Sequence, residues 1–190
     1  MAGKSIINKE ELLSVAVNMV EKYGIDSINA RDLAKEAGIS TKPIYRIYAS
    51  LDDLKKDINE IIKKEYDEFI MKRVDSKNAL ITVCVAYIEF AQMHKNYFRS
   101  MFLSNNLNWK DVNDVLNEKW NQSTIINLVN KHSLSFDEAK TLFMNVWLYA
   151  NGLATLIASN DLTIDNKEIL VRIVKIYKEL SKTKNEKVAG

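Results

Sequence analysis

Apolar residues recur at three- and four-residue spacing along most of the chain, the pattern typical of amphipathic helices. In the first such segment, one face carries Leu12, Leu13, Ala16, Val20 and Tyr23. Gly24 follows and predicts the end of this helix, because glycine tolerates the backbone conformation found after a helix. The pattern predicts nine helices, at about residues 9–23, 30–37, 41–48, 51–74, 79–94, 97–103, 109–129, 136–158 and 166–180.

Helix starts are marked by a capping residue followed three positions later by a carboxylate. The pairs are Asn8 with Glu11, Ser50 with Asp53, Ser135 with Glu138, and Asp165 with Glu168. A side-chain oxygen at the cap satisfies a free backbone N–H, and the carboxylate suits the positive end of the helix dipole. Four such pairs, each before an apolar-periodic segment, support the helical interpretation.

Composition narrows the fold class to all-α. The chain has 190 residues, of which 47% are hydrophobic and 27% charged, with one proline and five glycines. So few turn residues argue against a many-stranded β protein. We expect a small domain at residues 1–50, a larger helical domain at 51–182 and a disordered tail at 183–190.

The single cysteine and the lack of targeting signals predict a cytoplasmic protein. Cys84 excludes a disulfide within the chain and lies in an apolar helix, which favours a buried structural thiol. The N-terminus has no signal-peptide pattern, and no apolar run approaches the ~20 residues that span a bilayer. We therefore expect no membrane association.

Residues 30–48 have the pattern of a helix-turn-helix, in which two short helices meet at a glycine-containing turn. Leu33, Ala34 and Ala37 are apolar or small, so that the helices can cross closely. Gly38 relieves the strain of the turn, and Ile39 and Ile44 fill the gap between the helices. Ser40 is expected to cap the second of these helices.

The N-terminal part of that second helix is expected to enter the major groove of DNA. Lys42 and Arg46 can donate to guanine, Thr41 and Pro43 can contact a thymine methyl, and Tyr45 reaches a phosphate. Tyr48 is assigned to the core. Arg31 either contacts a phosphate or pairs with an acid such as Glu36. The complete set of DNA-binding candidates is Arg31, Ser40, Thr41, Lys42, Pro43, Tyr45, Arg46 and Lys55.

Charge alone gives DNA binding little support. The net charge is +2, and the first fifty residues hold seven Lys or Arg against six Asp or Glu. Lys42 and Arg46 taken alone would be ordinary solvated charges, so the assignment depends on their place in the motif.

Residues 7–54 resemble the DNA-binding domain of TetR-type repressors. The matching positions are Ala16, Gly24, Ile28, Arg31, Leu33, Ala34, Ala37, Gly38, Ile39, Ser40, Ile44, Tyr45, Tyr48, Ser50 and Leu54. The resemblance implies a nine-helix fold whose first three helices bind DNA and whose eighth and ninth helices form a homodimer. It also implies repression of a palindromic operator, released when a small ligand shifts the fourth helix.

Three positions depart from the family pattern. Asn29 stands where members of the family often have threonine, and asparagine caps a helix at least as well as threonine does. Leu51 stands where a basic residue usually binds phosphate, so either Lys55 or Lys56 compensates or the affinity for DNA is lower. Residues 147–154 are similar to an eighth-helix motif of some members, but Asn151 replaces its histidine, so no ligand or metal role carries over.

Aromatic and methionine residues of the later helices are either plain core or the lining of a pocket for an apolar or aromatic effector. The candidates are Tyr87, Phe90, Phe102, Trp109, Trp120, Met144 and Trp147. His94 and His132 have no metal-ligand spacing around them, so we expect no metal. No cofactor is expected either.

A DNA-binding transcriptional regulator is the function that these observations favour. The alternative is a helical interaction module that has lost DNA binding, which Leu51 and the weak charge keep open. An enzyme is not expected, since no nucleophile–base set or phosphate-binding loop is present, and no catalytic residue is assigned.

Overall fold

The computed structural model describes residues 7–104 and 109–182, and the described residues are helical with no strand. Nine α-helices lie within these ranges: α1 Lys9–Tyr23, α2 Ala30–Glu36, α3 Lys42–Ile47, α4 Leu51–Met71, α5 Ala79–Met93, α6 Lys95–Phe102, α7 Lys119–His132, α8 Phe136–Asn160 and α9 Asn166–Lys182. Three 3-10 segments accompany them, at Ile25–Ser27, Ser76–Asn78 and Val112–Asn117. The all-α prediction is confirmed.

The chain divides into two compact units, the first made of residues 1–67 and 94–106. Its described part contains α1 to α3, most of α4, and α6. The fully buried side chains at its centre include Leu12, Leu33, Ile44, Leu54, Ile58 and Phe98. α6 packs on α1, where the Asn96 side chain donates to the Glu21 carbonyl over 2.8 Å.

The second unit comprises residues 68–93 and 107–190. α5 is nearly continuous in apolar residues and packs mainly on α8, with α7 and α9 completing the core. Large side chains buried there include Phe90, Phe143, Val146, Ile157, Ile169 and Ile173. The domain boundary predicted after residue 50 stays a prediction, and the tail predicted at 183–190 lies outside the described residues.

Helix caps follow the sequence pattern at three of the four pairs. Asn8 with Glu11 and Ser135 with Glu138 form reciprocal capping boxes, and the Ser50 hydroxyl accepts from the Asp53 N–H at 3.1 Å. The fourth pair was wrong in detail. Asp165 accepts from the backbone N–H of Lys167, at 2.8 Å, and not from that of Glu168.

The predicted helix at 109–129 was also wrong. The structure has the 3-10 segment Val112–Asn117 followed by α7, with Glu118 extended between them at φ −63° and ψ 133°. Asp111 and Asp114 form their own capping box at the start of the 3-10 segment. Because Glu118 is extended, it ends the 3-10 segment and precedes the first residue of α7, a break that apolar periodicity does not reveal.

α8 has the length and composition of a membrane span, with 25 residues and a mean hydropathy of 1.3 over its most apolar window. From the sequence alone, no apolar run of that length is expected. One face of α8 is buried by α5, α7 and α9, including Ala139, Phe143, Ala150 and Ala154 at 0% exposure. That burial is typical of the core helix of a globular unit.

Candidate nucleic-acid interface

The connection between α2 and α3 is a tight turn built on Gly38. Gly38 has φ +66°, the left-handed region that favours glycine. Its N–H donates to the Lys35 carbonyl at 3.2 Å, and the Ile39 N–H donates to the Ala34 carbonyl at 2.9 Å. This pair of bonds is the Schellman arrangement, which satisfies carbonyls left free at the end of a helix.

α3 has six residues and is held in place by packing, because so short a helix has little stability of its own. Ile44 within α3 is 0% exposed and Tyr48, which directly follows α3, is 5% exposed, so this side of the helix is buried. On α2, Leu33 and Ala34 are buried in the same unit. The packing predicted for a helix-turn-helix is therefore present.

The opposite side of α3 is exposed. Thr41, Lys42, Tyr45 and Arg46 are exposed to solvent, with Tyr45 at 56%, and we call these four residues the exposed face of α3. Lys42 and Arg46 form no ion pair within residues 7–104 and 109–182. Two cations without acidic partners give the exposed face of α3 a local positive charge that the overall net charge conceals.

Two details of α3 differ from the prediction. Ser40 does not cap the helix, because the cap position is Thr41, in helical conformation at φ −70° and without a side-chain capping bond. Pro43 lies in the first turn as predicted but is half-buried, so it is less open to a partner than its neighbours. The Ser40 and Thr41 hydroxyls are exposed and remain available to an external acceptor or donor.

The remaining DNA-binding candidates lie on α2 and α4. Arg31 is exposed and makes no ion pair among the described residues, including the anticipated one with Glu36. Leu51 and Lys55 are half-buried, whereas the Lys56 amine lies 3.3 Å from Asp53. Lys56 thus has an acidic partner, whereas Lys55 forms no ion pair among the described residues, and a phosphate contact by either lysine stays a prediction.

A polar cluster at the end of α3 was not anticipated from the sequence. The Tyr48 hydroxyl donates to Asp57 Oδ2 at 2.9 Å, and the Lys9 amine donates to the same oxygen at 2.8 Å. The hydrogen bond from Lys9 lowers the pKa of Asp57, and burial together with Asp57 raises the pKa of Tyr48. The available signal was that a buried tyrosine hydroxyl requires a partner.

Within the residues that the structure describes, the effector candidates fall into separate aromatic groups. Tyr87 and Trp147 have ring centroids 6.4 Å apart, and Trp109 lies 6.0 Å from Trp147. Phe90 instead pairs with Phe69 in the same unit, whereas Phe102 belongs to the first unit, against Tyr66 and Phe98. Trp120 is 37% exposed.

Two cavities lie beside the start of α8. One, of about 470 Å³, is lined by His132, Leu142 and Leu180 among others. Burial lowers the pKa of His132, whose Nε2 lies 2.5 Å from the Tyr177 hydroxyl. The second cavity, of about 320 Å³, includes Met144 in its lining, and Met144 is the one effector candidate that these two cavities contain.

α8 and α9 each carry exposed apolar residues on the side turned away from the core. On α8 these are Leu148, Tyr149 and Leu156, at 43%, 36% and 54% exposure. On α9 they are Leu170 and Val171, at 45% and 64%. We call these five residues the α8–α9 apolar face. Val146 on α8 and Ile173 on α9 are by contrast 0% exposed and belong to the core of the second unit.

The fold and the turn define a helical protein with an N-terminal helix-turn-helix. A solved structure of a tetR-family transcriptional regulator from Streptomyces coelicolor matches with a TM-score of 0.65 at 15% identity, over 90% of this chain and 78% of that chain. This likeness shows that the two proteins share a fold.

Sequence comparison gives a shorter match. A Haemophilus influenzae protein described as an uncharacterized HTH-type transcriptional regulator is 27% identical over 108 residues, or 52% of this chain. The match spans about half, 53%, of that curated relative. No family model matches the chain.

Proposed function

We propose that this protein is a TetR-type transcriptional regulator that binds duplex DNA through α3. The observation that carries the proposal is the exposed face of α3, which is held by the buried Ile44 and Tyr48 and bears two cations with no acidic partner in the described part of the chain. In a helix-turn-helix, the N-terminal residues of such a helix contact base edges in the major groove. The shared fold with a tetR-family regulator supports this assignment.

The residues of the exposed face have distinct roles in this proposal. Arg46 and Lys42 read bases by donating to guanine O6 and N7, whereas Tyr45 donates its hydroxyl to a phosphate. Arg31 and Lys55 add phosphate contacts outside α3. Base contacts set sequence preference, and phosphate contacts set affinity for any duplex and its dependence on salt.

The test begins with selection of an operator from a random duplex library by the full-length protein. Dissociation constants are then measured for Arg46→Ala and Lys42→Ala on that operator and on random duplex. If Arg46 reads a base, Arg46→Ala costs about 1–3 kcal/mol on the operator and relaxes preference at one position. Lys119→Ala removes an equal charge from an exposed site in the second unit and is the matched control.

Unchanged operator binding by both α3 variants contradicts the assignment of the exposed face. An equal loss on operator and random duplex identifies phosphate contacts instead of base contacts. We expect wild-type binding to weaken steeply with salt, because each neutralised phosphate releases counterions.

The protein is further proposed to act as a homodimer through α8 and α9, on a pseudo-palindromic operator. The α8–α9 apolar face supports this, because five exposed apolar side chains on two adjacent helices form the kind of patch that marks an interface. A two-fold dimer presents two copies of α3 to half-sites on one side of the duplex.

Repression released by a small ligand is the mechanism proposed for regulation. The rings of Tyr87, Trp109 and Trp147 lie close together in the second unit, and the Tyr87 hydroxyl donates to Asn151 Oδ1 at 2.9 Å. Tyr87 and Trp147 are buried and line neither of the two cavities described above, so the proposal of an apolar or aromatic effector rests on the TetR resemblance and on this aromatic composition. We expect the protein to act in the cytoplasm and to have no enzymatic activity of its own.

A helical interaction module without DNA binding is the second candidate. Leu51 favours it, because a half-buried leucine at the start of α4 cannot bind phosphate. Titration of the full-length protein with random duplex at low and high salt distinguishes the two. Salt-sensitive binding supports the regulator, and no binding at low salt supports the module.

A further inference from the structure

We propose that Tyr48, Asp57 and Lys9 form a positioning cluster that sets the orientation of α3 and thereby determines how well the protein discriminates its operator from other DNA. This inference rests on the proposed DNA-binding function. It concerns positioning residues, which act on the exposed face of α3 without contacting DNA.

Three helices of the first unit meet at one oxygen atom. Asp57 Oδ2, on α4, accepts from the Tyr48 hydroxyl at 2.9 Å and from the Lys9 amine at 2.8 Å. The Lys9 amine also lies 5.2 Å from the centroid of the Tyr48 ring, within cation–π range. Tyr48 ends α3, Lys9 begins α1, and Asp57 lies in the second turn of α4.

The protonation states fit a stable cluster at neutral pH. Hydrogen bonding to Lys9 lowers the pKa of Asp57, so that the carboxylate stays ionised and accepts both bonds. Burial and the adjacent Asp57 raise the pKa of Tyr48, so that its hydroxyl keeps the proton it donates. A hydrogen bond from a neutral hydroxyl to a carboxylate is stronger than one between two neutral groups.

The Tyr48 hydroxyl adds a directional hydrogen bond to the apolar packing of the Tyr48 ring. The ring of Tyr48 is buried and a phenylalanine would fill the same space, so the apolar contribution does not require the oxygen. The hydrogen bond fixes the rotation of the α3 end about its Ile44 contact. Because base contacts tolerate little displacement and phosphate contacts tolerate more, loss of the bond affects specific binding first.

The test compares Tyr48→Phe, Asp57→Asn and wild type on a selected operator and on random duplex, using the full-length protein. We expect Tyr48→Phe to weaken operator binding roughly three- to tenfold, with random-duplex affinity and its salt dependence unchanged. In Asp57→Asn the amide oxygen can still accept from the Tyr48 hydroxyl while the ion pair with Lys9 is lost, so this variant should discriminate better than Tyr48→Phe. The double variant should lose little more than Tyr48→Phe alone.

Ser100→Ala is the matched structural control. Ser100 donates to Asn59 at 2.9 Å elsewhere in the first unit, so its removal lowers stability through a lost buried hydrogen bond without touching α3. Urea unfolding establishes that all variants are folded at the assay temperature. We expect Ser100→Ala to keep the wild-type ratio of operator to random-duplex affinity.

Three results would overturn the proposal. The first is wild-type discrimination by Tyr48→Phe. The second is the same loss of discrimination by Ser100→Ala, which would make the effect one of general stability. The third is a Lys9→Gln variant in which the slope of the logarithm of the binding constant against the logarithm of salt concentration falls by about one, which would make Lys9 a phosphate ligand. If wild type selects no operator, the proposed function fails, and this inference fails with it.

Discussion

Replacing Gly38 by alanine tests the turn on which the helix-turn-helix depends. Gly38 has φ +66°, and a Cβ built there meets no heavy atom within 4 Å, so the cost is one of backbone conformation alone. The left-handed region costs an L-residue about 1–2 kcal/mol. Reduced entropy of the unfolded chain returns about 0.4–1 kcal/mol. The net expectation is a loss of about 1 kcal/mol in the free energy of unfolding.

Urea denaturation followed by circular dichroism measures this loss, at one fixed protein concentration because the proposed dimerisation would couple to folding. Gly38→Asn is the matched control, since asparagine visits the left-handed region more readily than other non-glycine residues. We expect its stability to lie between those of wild type and Gly38→Ala. An alanine variant as stable as wild type, or an asparagine variant less stable than the alanine one, would refute the reasoning.

Four further predictions concern the core, the cysteine, acid stability and the dimer. Ile44→Ala, at a fully buried site, should cost about 2–5 kcal/mol in urea unfolding, and a loss under 1 kcal/mol would contradict its role in holding α3. Burial raises the pKa of the Cys84 thiol to about 12, so a thiol reagent at mild alkaline pH should react only after denaturant is added; rapid labelling of native protein would show otherwise. The pKa of Asp57 in the folded protein lies below its ordinary 3.8. The ion pair with Lys9 therefore stabilises the folded protein above pH 3.8, and this stabilisation is lost as the pH falls through the folded pKa. Asp57→Asn should therefore destabilise at neutral pH but progressively less in acid, and an equal loss at every pH would count against it. Leu156→Glu with Val171→Glu should sediment as a folded monomer, and an unchanged dimer would exclude the α8–α9 apolar face as the interface.

Local sequence rules predicted much of the fold because many of its elements are defined locally. The capping boxes at Asn8 and Ser135 and the positive φ of Gly38 each depend on residues within a few positions. Helical periodicity placed α1 at Lys9–Tyr23 because that helix has one buried face and a glycine after it. Periodicity failed at Glu118, where a break occurs without proline or glycine.

Tertiary contacts were the part that the sequence could not supply. Tyr48 and Asp57 are nine positions apart and on different helices, so no spacing rule links them to Lys9. Similarly, the split of apolar residues on α8 into a core set and an exposed set depends on where α5 packs. A helix with so many apolar positions fits several rotations about its axis, and only the packed structure selects one.

The most direct measurement of the central claim is a hydroxyl-radical footprint of the wild-type protein on its selected operator. The account predicts two protected segments on one face of the duplex, about one helical turn or more apart and related by two-fold symmetry. The Arg46→Ala variant should lose that protection at concentrations where wild type shows it. A uniform or absent footprint for wild-type protein would contradict sequence-specific binding through α3.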